Sequence, residues 1–227
     1  MSDGRAGAEL PGLRAPKLAP GLVADERGVV RCSWAGSDPL YLAYHDREWG
    51  FPVADDRRLF EKICLEGFQA GLAWITILRK RENFRAAFRD FDIEAVARLN
   101  RRSVDRLLKD PGIVRHRGKI SSTLANARRA KTLIELEGSL AAFVWGFEPD
   151  PASRPRRATL GVLRKLTKTA ESSALSRELK VRGWTFVGPT TCYAFMQAMG
   201  LVNDHLEGCA TRERVAAARR RFRPPLR

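Results

Sequence analysis

Glu66-Gly67-Phe68-Gln69-Ala70-Gly71-Leu72-Ala73-Trp74 puts a carboxylate near the end of one apolar helix, a small-residue turn after it, and an indole at the start of the next helix. Phe60, Ile63, Cys64 and Phe68 form the apolar side of the first helix, and Ile75 and Leu78 continue into the second. A carboxylate in that company is costly to desolvate unless something hydrogen-bonds it. Two readings are open. Glu66 reaches solvent or a neighbouring backbone as an ordinary helix-end residue, or its partner is a ligand and Trp74 is a stacking wall. Trp34, Tyr41, Tyr44, His45, Trp49 and Phe51 crowd into residues 34–51. Glu66 with Trp34, Tyr41, Tyr44 and Trp74 can make a pocket for a planar, electron-poor base: π-faces stack, and a carboxylate balances a cation or accepts from an amino group. The same rings can also be plain core.

Two further groupings carry chemistry. Cys32, His45, His205 and Cys209 supply the two sulfurs and two imidazoles of a closed, tetrahedral zinc site, structural rather than catalytic. Such a clip would tie the first ordered residues to the last, where the loop it closes is long and the gain correspondingly large. The spacings match no common zinc finger, so a core Cys32 and a solvent-facing 205–209 segment stand as the alternative. Cys64 and Cys192 fall on apolar faces and read as core. The third grouping is a helix at 172–182, the turn Phe186-Val187-Gly188-Pro189-Thr190, and a helix at about 189–199. A glycine in such a hairpin bares backbone N–H groups, and the following helix points its N-terminus the same way, which suits a phosphate. A plain αα-hairpin that needs Gly for its turn gives the same pattern.

The elements that must position these groups read as helices throughout. Asp38-Pro39 favours a turn before a short helix, Asp55 or Asp56 caps a helix at 57–66, and a second spans about 72–81. Short helices follow at 82–88, at 93–99 behind Asp92, and at 104–109 behind Ser103. Asp110-Pro111-Gly112 breaks the chain before a long helix through Glu137, with Ile120, Leu124, Ala127, Ala130 and Ile134 on one face. No alternating strand pattern of any length is present, so the fold class is all-α. Residues 1–28, rich in Gly, Ala and Pro, read as a disordered leader, residues 29–209 as one domain with a basic connection at 150–170, and residues 210–227 as a basic tail.

The chain has 227 residues, 44% hydrophobic and 30% charged, enough for a real core in a soluble globular protein. No apolar run suits a membrane span or a signal peptide, so a cytoplasmic protein with reduced cysteines is expected. The formal charge of +15 invites a polyanionic partner. Residues 151–170 hold six Arg/Lys and no acid, and residues 210–227 hold seven Arg and one Glu. Most of the excess therefore sits outside the stretches that carry chemistry, and charge alone does not assign nucleic-acid binding to the core.

Taken together, Cys32-Ser33-Trp34, the run from Asp38 to Gly50, the run from Cys64 to Trp74, the run from Ile113 to Ile120, the run from Phe186 to Ala198, and Leu201-Val202-Asn203-Asp204-His205 resemble the DNA-3-methyladenine glycosylase I family from about Arg31 to Cys209. The resemblance implies a helix-hairpin-helix glycosylase fold with a zinc clip, and removal of 3-methyladenine from alkylated double-stranded DNA. It implies that Glu66 contacts the adenine edge, that Tyr44 and Trp74 are the principal pocket walls, and that Trp34 and Tyr41 stand beside them. Catalysis would then rest on Glu66 and Tyr44. It makes Cys32, His45, His205 and Cys209 ligands of one structural zinc per chain. Gly71 and Leu72 fall where the family inserts a plug into the duplex, with Gln69 adjacent. Lys119, Gly188 and Thr190 belong to the DNA-binding motifs.

Methylation at N3 already makes the base a cationic leaving group, so the expected chemistry is selection and orientation rather than strong acid catalysis. No lysine nucleophile is evident in the motifs, and a monofunctional, monomeric glycosylase that leaves an abasic site is expected. Related helix-hairpin-helix glycosylases carry a catalytic Asp shortly after the hairpin; here Asn203 falls at that point and Asp204 one later. The competing expectations are a catalytically silent helix-hairpin-helix DNA-binding module with a blocked pocket, and an RNA- or nucleotide-binding protein using the same aromatics.

Overall fold

The computed structural model describes residues 18–225, and among them twelve α-helices and one two-stranded ribbon. Helix α1 (Pro39–Arg47) begins as expected: the Asp38 carboxylate accepts from the Leu40 and Tyr41 N–H groups, and Pro39 takes the first position. Helix α2 (Asp56–Gln69) is capped by Asp55, whose carboxylate accepts from the Arg58 N–H. Asp56 instead reaches forward to the Leu140 and Ala141 N–H groups and fastens the start of α8 (Leu140–Trp145) to α2.

Helix α2 is the centre of the molecule. Every residue from Leu59 to Phe68 is buried, including Glu61, Lys62 and Glu66. A helix enclosed on all sides must find internal partners for its charges. Helices α3 (Trp74–Arg79) and α4 (Arg81–Ala87) follow it closely, and α5 (Ile93–Ala97) and α6 (Arg101–Leu107) lead to the long α7 (Arg117–Glu137). Asn100, not Ser103, caps α6; Ser103 is the third helical residue and returns its hydroxyl to the Asn100 N–H. After α9 (Leu160–Leu163), helices α10 (Ala170–Val181) and α11 (Pro189–Ala198) form the predicted hairpin, packed on α2.

The structure differs from expectation at both ends. Residues 1–17 lie outside the described residues, but the rest of the presumed leader is not featureless: Leu22–Ala24 (β1) pairs antiparallel with Val30–Cys32 (β2), Leu22 opposite Cys32. Asp25 holds the turn by accepting from the Arg27 and Val29 N–H groups. Strands of three residues are too short to show an alternating pattern, and so no strand was legible. The presumed basic tail is helical over Ala210–Arg221 (α12), with Val215 buried and Arg219 paired with Glu148 over the Trp145 ring. The basic connection is likewise fastened: Arg154 bonds Asp204, and Arg157 bonds Glu207. Charges without local partners in the sequence find them about fifty to seventy residues away.

Candidate active site

Glu66 sits in the last turn of α2, Tyr44 in α1, Trp74 at the first position of α3, and Tyr41 one turn before Tyr44. The Tyr44 and Trp74 ring centroids are 5.4 Å apart, and Tyr41 is 6.5 Å from Tyr44. Trp34, in the short 3-10 turn after β2, continues the row 5.3 Å from Tyr41. These residues and Gln69 line one side of a cavity of about 510 Å³. Its other side is made by Leu160, Leu163 and Arg164 of the 150–170 connection, with Ala194, Gln197 and Asp204. The rings therefore form a wall with space in front of it, and the cavity is in the range of ligand sites.

Glu66 is 5% exposed and lines this cavity. Its internal partner is a residue that sequence reasoning passed over: Lys62 Nζ lies 2.7 Å from Glu66 Oε1, donates to Tyr44 Oη at 2.7 Å, and stands 3.3 Å from the Trp74 ring centroid. The one signal for it is its spacing, four residues before Glu66 on the same helix face. Burial pushes the Tyr44 phenol well above its ordinary range, with Glu66 adding to the shift, so Tyr44 stays neutral. Burial also lowers the Lys62 ammonium, while Glu66 opposes that. The buried Trp74 indole N–H has no hydrogen-bond partner among the described residues.

Beside the cavity, Gly71 takes φ +83° in the turn between α2 and α3, and residues 70–73 are exposed, Leu72 at 41%. Lys119, expected to face DNA, is turned inward: its ammonium donates to the Phe68 and Ala70 carbonyls at 2.8 and 2.6 Å. It caps the C-terminal end of α2 and holds the exposed turn in place.

The hairpin does not need Gly188 for its turn. Gly188 has an ordinary φ of −64°, and the left-handed residue is Phe186 at +56°. A β-carbon on Gly188 would meet nothing nearer than the Thr191 hydroxyl at 3.9 Å. What Gly188 provides is open backbone at the N-terminus of α11, next to exposed Thr190. Asn126 on α7, also missed in the sequence, exchanges two hydrogen bonds with the Thr185 backbone and fixes the hairpin.

Cys32, His45 and Cys209 are buried with their ligand atoms within 4.8 Å of one another. Asp46 Oδ1 is 2.7 Å from His45 Nδ1 and is itself held by Arg31, which leaves His45 Nε2 facing Cys209 Sγ at 3.6 Å. A carboxylate behind the distal nitrogen of a ligating His is the usual support of a metal site. A hydrogen bond from Cys32 favours a thiolate at Cys209, whose pKa is lowered to about 3. His205 packs edge-on against His45, centroids 4.9 Å apart, and burial lowers it to about 4, so its ring is neutral. The gathered donors, Cys32, His45 and Cys209, suit a metal ion by their chemistry; His205 is not among them, since its Nδ1 lies 3.0 Å from Asn203 Oδ1 and its Nε2 3.4 Å from the His45 carbonyl.

Asn203 belongs to this second region. Its side chain bonds the Arg212 carbonyl and lies against His205. Asp204 does border the cavity, but its carboxylate already accepts from Tyr193 Oη at 2.6 Å, from Gln197 Nε2 at 2.9 Å, and from Arg154.

Residues 34–213 match the family model of the methyladenine glycosylases. The chain belongs to the methyladenine glycosylase family. It is 51% identical over 181 residues to DNA-3-methyladenine glycosylase 1 of Escherichia coli, covering 80% of this chain and 96% of that one. It is 46% identical to DNA-3-methyladenine glycosylase of Haemophilus influenzae, covering 80% and 97%. Among solved structures, the 3-methyladenine DNA glycosylase I of Staphylococcus aureus, described for its recognition of 3-methyladenine, superposes with a TM-score of 0.73 at 34% identity, over 80% of this chain and 96% of that one. The family match spans the aromatic wall, Glu66, the exposed turn and the hairpin, while β1 and β2 precede it.

Proposed function

We propose that this chain is a monofunctional glycosylase that extrudes 3-methyladenine from alkylated duplex DNA and hydrolyses its N-glycosidic bond, leaving an abasic site. The observation that carries this reading is Glu66 at the floor of a cavity walled by Tyr44 and Trp74, immediately behind the exposed Gly71-Leu72 turn. A silent DNA-binding module would have that pocket filled; here it is open.

The target base must leave the stack before its glycosidic bond can be reached. Leu72 takes the vacated place in the duplex, with Gln69 beside it. Gly188 and Thr190 of the helix-hairpin-helix motif offer backbone and hydroxyl donors to phosphate. The extruded base stacks on Trp74 and Tyr44, with Tyr41 and Trp34 at the pocket's side. Glu66 Oε1 is engaged by Lys62, and Oε2 has no hydrogen bond among the described residues, so it is the oxygen that receives the N6 amino group. As the bond to C1′ breaks, its electron pair goes to N9 and neutralises the base. The sugar takes up the charge as an oxocarbenium-like centre, water adds at C1′, and its proton leaves to solvent. No lysine lines the cavity among the described residues, which agrees with chemistry that stops at the abasic site.

Cys32, His45, His205 and Cys209 would hold one structural Zn²⁺, whose thiolate and imidazole ligation would pin β2, α1 and the segment before α12. A cytoplasmic, monomeric enzyme is part of the same proposal, its location supported by the reduced thiols that zinc ligation needs and by a DNA substrate. The deciding experiment is incubation with methylated duplex DNA and chromatographic identification of the released base. Release of 3-methyladenine without strand cleavage, greatly reduced in Glu66→Gln, is the expected result; DNA binding with no base released would defeat the proposal.

A further inference from the structure

Lys62 is a buried cation beside a pocket meant for a cation. Its ammonium touches one face of the Trp74 indole and the Tyr44 hydroxyl, and it pairs with Glu66. It does not reach the main cavity. It borders a separate, smaller one on the other side of Tyr44 and Trp74, with Glu48 and Arg81. Of the other charges there, Arg81 pairs with Glu48 and Arg85 with Glu61, while Arg58 is exposed to solvent. Arg58, and Arg164 on the lining of the main cavity, are exposed and screened by water, so the Lys62–Glu66 pair is the buried charge pair in contact with the aromatic wall.

We infer that Lys62 is a positioning residue that cancels the charge of Glu66 and fixes its orientation, so that the pocket selects a base by its amino edge and shape rather than by net positive charge. The inference rests on Glu66 facing the amino edge of the base. Its chemical sense lies in how charge moves during the reaction. The 3-methylated nucleotide is cationic on the base before cleavage, and that charge passes to the sugar as the glycosidic bond breaks. An uncompensated carboxylate at the amino edge, remote from C1′, would stabilise the bound substrate more than the transition state, and such binding slows the chemical step. A cation on the rear of the indole also draws on the π-density that the front face would offer a cationic base. Both effects of Lys62 remove ground-state attraction for the charged base and leave the hydrogen bond to Glu66 Oε2 intact.

The test compares two free bases by quenching of tryptophan fluorescence at neutral to slightly alkaline pH: 3-methyladenine, which is neutral there, and 3,9-dimethyladenine, which carries the positive charge of the substrate. The wild-type protein should bind the two within about threefold of each other once their shape difference is allowed for by the Lys62→Met/Glu66→Gln protein, in which both charges are gone, and a wild-type preference for the cation above about tenfold would overturn the inference. Lys62→Met, which keeps the volume of the stem, should raise the relative affinity for the cation by about tenfold and lower the single-turnover rate of base release on methylated DNA by a similar factor, while KM falls. In Lys62→Met/Glu66→Gln the cation preference should vanish again. A Lys62→Met protein that is folded by circular dichroism yet shows an unchanged ratio, or loses affinity for both bases equally, would overturn the inference. If Glu66→Gln alone changes the binding of neither base, it is the placement of Glu66 at the amino edge that fails, a result distinct from the others.

Discussion

Gly67 leaves the space that Phe186 occupies. A β-carbon built on Gly67 would lie 3.2 Å from Phe186 Cβ and 3.4 Å from its carbonyl oxygen, and Phe186 is the residue that turns the hairpin with positive φ. The helix that carries Glu66 and the hairpin offered to phosphate are thereby in direct backbone-level contact. Gly67→Ala should show which force dominates. Helix propensity favours Ala by about 1 kcal/mol at an interior position. Overpacking against a rigid turn typically costs about 1–3 kcal/mol. A net loss of stability in urea denaturation is expected, together with weaker binding to undamaged duplex DNA. A stabilised Gly67→Ala protein would show that the hairpin yields easily.

Leu72 is a large apolar side chain left 41% exposed on a turn whose first end is held by Lys119. Removing it should cost about 1 kcal/mol of folding energy, because it lies outside the buried core. Leu72→Gly is expected to lower the rate of base release from duplex DNA by about tenfold, the scale of one lost apolar contact with the stack, and to leave binding of free 3-methyladenine unchanged. A parallel loss of thermal stability would mark Leu72 as a packing residue instead.

What could be read from the sequence divides along a physical line. Local signals were legible: Asp38-Pro39 before α1, Asp55 before α2, the break at Asp110-Pro111-Gly112, and the turn between Glu66 and Trp74 all act within one helical turn. The rings of the pocket wall were legible because aromatic residues crowd into 34–51 beyond what a core needs, and because Trp74 opens the helix after Glu66. Lys62 was not, since a lysine in a helix is ordinarily solvated, and only the enclosure of α2 on all sides turns it inward. Arg154 and Asp204, fifty residues apart, carry no local trace of their pairing. For Gly188 the sequence leaves two readings open, backbone bared to a phosphate or a residue needed for the turn; the left-handed residue is Phe186, so the second falls.

The Cys32–His45–Cys209 cluster, with His205 against it, ties the β-ribbon and α1 to the chain just before α12. Mass spectrometric metal analysis of purified protein should give about one zinc per chain, the stoichiometry of a structural site. Prolonged chelation should lower the melting temperature and release thiols to titration. Cys209→Ser should do the same without chelator, while leaving the aromatic wall's affinity for free base measurable in the protein that remains folded. Full thermal stability in metal-free protein would remove zinc from the account.

Asp204 offers the remaining route to a different mechanism, because it borders the cavity and follows the hairpin. Its environment argues for a structural role. Tyr193, Gln197 and Arg154 together occupy its carboxylate, and Arg154 is the tie between the core and the segment that carries the opposite wall of the cavity. Breaking a buried charge pair by removing one partner costs about 3–5 kcal/mol, since the other charge is stranded. Asp204→Asn keeps the shape but not the charge, so a loss nearer the lower end of that range is expected, read as a fall in the urea midpoint. Base release per folded molecule should stay within about tenfold of wild type, far above the drop expected of a lost general base, which contributes about 10²–10⁴-fold. The Arg154→Met variant discriminates further. If Asp204 is only an anchor, Arg154→Met should weaken stability and substrate affinity together and leave the pH dependence of the single-turnover rate unchanged. If Asp204 is the reacting carboxylate, removing the Arg154 charge beside it should change the single-turnover rate per folded molecule by more than about tenfold.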